Sequence, residues 1–357
     1  MTGFLILVIL GLLGITLWQL NKILLLSKSR PSTAEDQIAN DKDNNVNGYL
    51  MLAFVAFLYI TLIGAFIQYR HFFLPESASE HGKDVDFLLF ITTLIIVVVQ
   101  FLTQGLLHWF AFKYRGKKGQ KALFYADNDK LELIWTAVPV VTLFSLIMYG
   151  LYTWTNIMNV DEHDEAIVIE IYAKQFGWNA RYAGEDNTLG DANVRFIEGV
   201  NMLGLDPTDV DGHDDIITTE LHLPVNKEVI FKIRSQDVLH SAYFPHFRAQ
   251  MNAVPGMVTQ FAFTPTITSD EMRSSEFMRN KVRNINTIRA EKSKELEAQG
   301  EVGLDPYEFE YYLLCNKICG VSHYNMQMKI VVEEEEEYKA WLAEQKTFGE
   351  TAGLTVK

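Results

Sequence analysis

Four stretches in the first 155 residues, 3–26, 49–68, 87–112 and 133–154, are each apolar for about twenty residues and nearly free of charge. Runs of that length match the hydrocarbon thickness of a bilayer when coiled as helices of roughly 20 residues. A helix also bonds its own backbone polar groups, which a segment out of reach of water must do. The sequence therefore predicts four transmembrane helices. Residues 3–26 lack the basic leader and small-residue cleavage site of a signal peptide, so a retained span is expected there.

The loops between these stretches set an orientation. Lys28, Arg30 and Lys42 lie between the first two, and Lys113, Arg115, Lys117, Lys118, Lys121 and Lys130 between the last two, whereas residues 69–86 carry only Arg70 and Lys83. The excess of Lys and Arg belongs on the cytoplasmic side. Both chain ends, and everything after the fourth span, are then expected on the periplasmic, extracytoplasmic face of a bacterial inner (plasma) membrane.

Composition changes past that span. Residues 156–357 hold 34 Asp and Glu against 19 Lys and Arg, while residues 1–155 hold 11 against 12. An acidic domain of this strength argues against nucleic acid as a partner and suits either a cationic protein or plain solvation. Short alternating segments replace the long apolar runs: "EVIFKIRS", "QFAFT" and "MKIVV", with Pro and Gly between. They predict an all-β antiparallel sandwich or barrel. Residues 184–215 read as a long acidic surface loop, residues 269–299 as a charged helical insertion, and "YKAWLAEQ" as a short terminal helix.

Both cysteines of the chain sit in "LLCNKICGVSHYNMQMKIVV". Two cysteines in an exported domain suit one disulfide, yet Cys315 and Cys319 are so close in sequence that bridging them would close little loop and stabilise little. His323 and Met326 follow within a few residues. Two thiolates, an imidazole and a thioether form a soft donor set, which selects copper. Zinc remains the competitor because two cysteines and two histidines form a common structural set, although Met326 is a poor zinc ligand. A second imidazole must come from elsewhere: "SQDVLHSAYFPHF" offers His240, with His246 as its rival.

"DVLHS…PHF…NAVPGM" followed by "CNKICGVSHYNM", together with "LELIWTAVPVV" opening the fourth span, resembles subunit II of the haem–copper cytochrome c oxidases. The resemblance covers roughly residues 87–265 and 309–345. It implies a cupredoxin-like domain over residues 156–357, behind a transmembrane hairpin (87–155) and an N-terminal extension with two further spans (1–86). It also implies a dinuclear copper centre, CuA, with Cys315 and Cys319 bridging two coppers. His240 and His323 would each ligate one copper, Met326 would complete one and the Lys317 carbonyl the other. Such a subunit relays electrons from a c-type cytochrome to subunit I, the haem–copper subunit that reduces O2 and pumps protons. Its other partners would be further oxidase subunits and membrane lipid.

Departures from the family pattern bear on a second metal. The family has a glutamate where Lys317 stands, reaching a magnesium ion at the border with subunit I, and its usual acid before the A-x-P-G turn is Asn252 here. A hard dication wants oxygen donors, so magnesium binding by this subunit is left open. "AKQFGWNARY" resembles the family's aromatic segment where electrons arrive, with Trp178 matching a tryptophan and Phe176 at the exposed position; two core aromatics are the alternative. Glu132 matches a carboxylate at the mouth of a proton path, or else simply favours a helix N-terminus. Asp237, just before His240, is the carboxylate expected nearest the donor, with residues 184–215 as the other candidate and orientation of the His240 loop as its alternative role. No C-x-x-C-H occurs, so no haem is expected on this chain. A quinol-oxidase subunit would not need the ligand set. A membrane-anchored binding module with zinc or a disulfide would be colourless, whereas CuA is purple.

Overall fold

The computed structural model describes residues 2–28, 40–160 and 165–354. Arg30 of the first basic loop lies outside these residues, as do residues 161–164 of the acidic segment. Four long helices occupy the apolar stretches: α1 (Thr2–Lys28), α2 (Asp41–Tyr69), α3 (Gly82–Lys113) and α4 (Asp129–Met158). Each is long and apolar enough to cross a membrane. Their apolar side chains point outward, as a lipid-facing surface requires.

The chain divides into two compact units, one made of Met1–Gln68 with Ile96–Asp129 and the other of Tyr69–Ile95 with Lys130–Lys357. In the first, α2 packs on the later part of α3 through rings: Tyr59 stacks on Phe101 at 4.3 Å and its hydroxyl donates to the Phe101 carbonyl at 2.7 Å. Near the basic loop, Arg115 Nε donates to Asn45 Oδ1 at 2.7 Å.

The second unit carries ten strands: β1 (Ile167–Lys174), β2 (Gly177–Tyr182), β3 (Ile216–Thr218), β4 (Leu221–Pro224), β5 (Val229–Ser235), β6 (His240–Phe244), β7 (Ala249–Ala253), β8 (Thr259–Phe263), β9 (Tyr311–Cys315) and β10 (Gln327–Glu333). They form two five-stranded sheets, ordered β3-β2-β1-β5-β8 and β4-β10-β9-β6-β7. Ile169, Ile171, Phe231, Ile233, Leu313 and Ile330 fill the space between them, all 0% exposed. The sandwich is mixed rather than antiparallel, since β1 runs parallel to β5 and β4 to β10. Period-two alternation reports that a segment is a strand with one buried face. It does not report which strand lies beside it, and long connections permit parallel neighbours.

Two segments are more ordered than their composition suggests. Residues 184–215 form a lobe whose Leu203 and Leu205 are fully buried against Tyr172 and Phe348. Between β8 and β9, helices α5 (Ser269–Ser274) and α6 (Glu276–Ala298) project, and an irregular return segment, residues 301–310, leads back to β9. Asn286 clasps that return, donating to the Tyr307 carbonyl and accepting from its N–H. Helices α7 (Glu335–Ala343) and α8 (Phe348–Ala352) close the chain.

Residues 75–81, which join α2 to α3, are built into the β domain. Ala78 N–H donates to the His246 carbonyl at 2.8 Å, Thr266 N–H to the Ala78 carbonyl at 2.8 Å, and Ser79 Oγ to the Phe247 carbonyl at 2.6 Å. Arg248 grips both carboxylate oxygens of Asp86, in α3, at 2.8 and 2.9 Å. The α2–α3 connection is therefore part of the β domain's own packing.

Candidate metal centre

Cys315 ends β9 and His240 begins β6, and these strands pair through Ala242 and Cys315. The ladder thus brings together two residues 75 positions apart. The remaining residues follow on one loop, Cys319 to Met326, which closes with a turn of 3-10 helix at His323–Asn325.

The donor atoms form a chain. His240 Nδ1 lies 3.8 Å from Cys315 Sγ, which lies 3.8 Å from Cys319 Sγ. Cys319 Sγ in turn lies 3.6 Å from His323 Nδ1 and 3.7 Å from Met326 Sδ. The Lys317 carbonyl oxygen is 3.2 Å from Cys315 Sγ. Donors bonded to one metal at about 2.0–2.3 Å stand roughly 3.3–3.8 Å from each other, so these spacings suit shared ions. The two imidazoles flank different sulfurs. Among the described residues, His240, Cys315 and Cys319 form one tight group of ligand atoms, and His323 joins it only through Cys319. That arrangement has two ends.

The site is dry. His240 is 0% exposed, Met326 2% and Cys319 5%. Both thiols are free. Burial, followed by the adjacent Cys315 thiol, pushes the Cys319 thiol up to about 11. A thiolate at Cys319 is therefore disfavoured unless a cation stands beside it.

Asp237 holds the outer edge of His240. Its Oδ1 lies 2.8 Å from His240 Nε2, and its Oδ2 accepts from the Gln175 N–H at 2.7 Å. Hydrogen bonds from His240, Gln175 and Val238 outweigh partial burial and hold this carboxyl below the usual range. With Nε2–H committed to the carboxylate, Nδ1 is left free to face the sulfur. His246 is not brought to the cysteines. Its ring lies 5.2 Å from Phe309 and 5.4 Å from Tyr311, and burial depresses it to about 4.

Trp178, 4% exposed, meets the His240 ring edge-on at 6.1 Å. Phe176 is 37% exposed and lies over Gly320, where an added Cβ would come within 2.8 Å of its ring. Lys317 and Asn252 are both exposed and supply no carboxylate, so they do not fit a hard dication. Glu132 stands exposed near the start of α4, away from this group in the sequence and on a different element.

Sequence reasoning passed over Gln175, whose Nε2 donates to the Cys319 carbonyl in a short contact. It also passed over a buried ion network. Arg181 Nε donates to Glu170 Oε2 at 2.6 Å and Nη1 to Asp215 Oδ2 at 2.9 Å, and Arg234 pairs with the other oxygen of Glu170. The only hint in the sequence was charge inside otherwise alternating strands.

Comparison with known proteins agrees with this architecture. Residues 67–152 match the family described as "Cytochrome C oxidase subunit II, transmembrane domain", and residues 167–270 match "Cytochrome C oxidase subunit II, periplasmic domain". The second match stops where the α5–α6 insertion begins. The chain is 34% identical over 245 residues to "Alternative cytochrome c oxidase subunit 2" of Bradyrhizobium diazoefficiens, covering 68% of this chain and 73% of that protein. It is 24% identical over 307 residues to "Cytochrome c oxidase subunit 2" of Thermostichus vulcanus, covering 79% and 81%. A crystal structure of the periplasmic domain of subunit II of cytochrome oxidase (CoxB) of Bradyrhizobium japonicum aligns at 20% identity and a TM-score of 0.29, covering 52% of this chain and 95% of that one. At that score the superposition adds nothing to the assignment. The chain belongs to the cytochrome c oxidase subunit II family, and is thus a membrane-anchored subunit of a haem–copper oxidoreductase with a cupredoxin-like extracytoplasmic domain.

Proposed function

We propose that this subunit is an electron relay, which accepts electrons from a c-type cytochrome at a dinuclear copper centre and hands them to the haem–copper subunit. The observation that carries this reading is the unbroken run of soft donors, 3.6–3.8 Å apart, from His240 through both cysteines to His323 and Met326. Cys315 and Cys319 would bridge, His240 and His323 would cap the two ends, and Met326 and the Lys317 carbonyl would complete the set. A copper pair sharing two thiolates supplies, when bound, a one-electron store with little change in bond length. The chain's own residues do the rest. Asp237 fixes the His240 ring, burial excludes water, and Gln175 ties the aromatic turn to the Cys319 carbonyl. Phe176, with Trp178 behind it, is the edge at which electrons would arrive.

If the Lys317 ligand is its carbonyl, Lys317→Ala should leave copper content and the purple band unchanged, because alanine keeps that carbonyl. Metal analysis with a visible spectrum of the purified chain checks this. Loss of the band would assign the side chain a role.

Docking of a cationic donor is assigned to the lobe. Residues 184–215 hold nine acids against one arginine, and Met202 of the lobe touches Lys174, just before the Phe176 turn. Attraction between exposed charges is screened beyond roughly 8 Å at physiological salt, so donor association should slow steeply as salt rises. Glu198 is exposed, and Glu198→Gln should slow copper reduction at low salt and matter little at high salt. Asp237 is occupied internally, so Asp237→Asn should slow reduction by a similar factor at every ionic strength. Stopped-flow reduction across a salt series reads both, and a parent rate flat with salt would remove steering altogether.

The packing of the α2–α3 connection into the β domain supports four spans with both termini outside. Glu132, an exposed carboxylate on a membrane helix, is the candidate for proton delivery towards subunit I.

A further inference from the structure

Between α6 and the irregular segment that returns to β9 runs an open groove of about 610 Å³, whose lining includes Arg279, Arg283, Val282, Tyr307, Glu308 and Phe309. It is built by the insertion, which begins where the family match ends. The electrostatics run against the rest of the domain. From residue 276 to residue 290, α6 carries Arg279, Lys281, Arg283 and Arg289 against a single acid, Glu276.

The arginines of the groove are not equivalent. Arg273 is committed to Asp270 at 2.5 Å, Glu310 at 2.6 Å and the Phe309 carbonyl at 3.0 Å. Arg279 and Arg283 have no ion-pair or hydrogen-bond partner for their guanidinium groups among the described residues. They stand one helical turn apart, where like charges destabilise a helix. Two cations repelling each other over an apolar floor of Val282 and Phe309 return nothing to the fold. Their spacing and fork-shaped donors suit an anion with several oxygens.

The position of the groove narrows the ligand. Its floor residue Phe309 packs on His246, whose carbonyl accepts from Ala78, in the connection that leads into α3 at Gly82. The groove is thus tied, through Phe309 and His246, to the connection that enters a membrane-length helix, and an anionic lipid head group is one source of the anion. We propose that this groove binds a phosphate group, with Arg279 and Arg283 as the ligands and Tyr307, Val282 and Phe309 covering the adjoining apolar part. The chemistry is shared by free phosphate and by the head group of an anionic phospholipid. Glu308 is the one acid of the groove without a cationic partner among the described residues, and it opposes binding.

The test is calorimetric titration of the detergent-solubilised full chain with inorganic phosphate, with dihexanoyl phosphatidylglycerol, and with dihexanoyl phosphatidylcholine. Binding at roughly millimolar concentration or tighter is expected for the anions. A clear preference for phosphatidylglycerol over inorganic phosphate identifies the lipid as the source, and equal affinity identifies the free anion. Arg279→Gln and Arg283→Gln should each weaken binding about tenfold, the scale of one lost charged hydrogen bond. Their thermal stability should hold or rise as the repulsion goes. Glu308→Gln, which removes the unpaired acid of the groove, should tighten binding. Phosphatidylcholine binding as well as phosphatidylglycerol, no binding of either anion, or variants that bind like the parent would each overturn the proposal.

Discussion

Cys315→Ser is expected to abolish the purple absorption of the copper-loaded chain and to cut bound copper from two ions per chain to one or none. Cys315 Sγ is the donor on which the site converges, with His240, Cys319 and the Lys317 carbonyl all within 3.8 Å. A serine hydroxyl is a hard donor that ionises far less readily than a thiol, so it cannot bridge soft ions. The fold should survive. Cys315 pairs with Ala242 through the backbone, and a single small side-chain change of this kind costs on the order of 1 kcal/mol. Metal analysis, visible absorption and circular dichroism of the full chain in detergent check the three parts together. A parent protein that binds one copper would sink the dinuclear assignment, and a colourless, zinc-loaded parent would make the site structural.

Arg181→Met should destabilise the β domain by about 3–5 kcal/mol, the usual cost of stranding a buried charge. Arg181 is 3% exposed and serves Glu170, Asp215 and the Gly190 carbonyl. Methionine fills the same space but leaves Asp215, 0% exposed, without its cation. Glu170 keeps Arg234. Asp215 also tethers the lobe, accepting from the Gly190 N–H at 3.2 Å.

Burial outweighs Arg181 and pushes the Asp215 carboxyl up to about 7. Its folded value therefore exceeds its unfolded one. The stability this contributes is present in full below pH of about 4 and is lost as pH rises through about 7. The variant should consequently melt closest to the parent in mild acid and furthest from it above neutrality. Adding Asp215→Leu should recover part of the loss, since a hydrophobic replacement of a whole buried pair is often tolerated. Thermal melts of parent, single and double variants across that pH range test this. Equal melting of parent and single variant at about pH 8 would show that the network carries no stability.

Much was legible before any fold was seen, because some signals are local. Helix length against bilayer thickness is a property of one segment, so α1 to α4 are written in consecutive residues. The donor loop is equally local: Cys315, Cys319, His323 and Met326 fall within a single short stretch, whose softness favours copper, with Met326 weighing against zinc. Period-two alternation at 229–235 marks β5 wherever its neighbours lie.

What only tertiary structure decided are the relations between distant segments. The physical cause that sets His240, the histidine the resemblance named, beside Cys315 and turns His246 towards Phe309 is the β6–β9 ladder. The engagement of both Asp237 oxygens depended on the Gln175 N–H arriving from the β1–β2 turn. Parallel pairing of β1 with β5, the Arg181 network under the acidic lobe and the seating of Ala78 against His246 join residues tens to hundreds of positions apart. Periodicity and composition encode which face of a segment is buried, through hydrophobic transfer. They do not encode what it is buried against, because that is settled by packing and hydrogen-bond satisfaction over the whole domain.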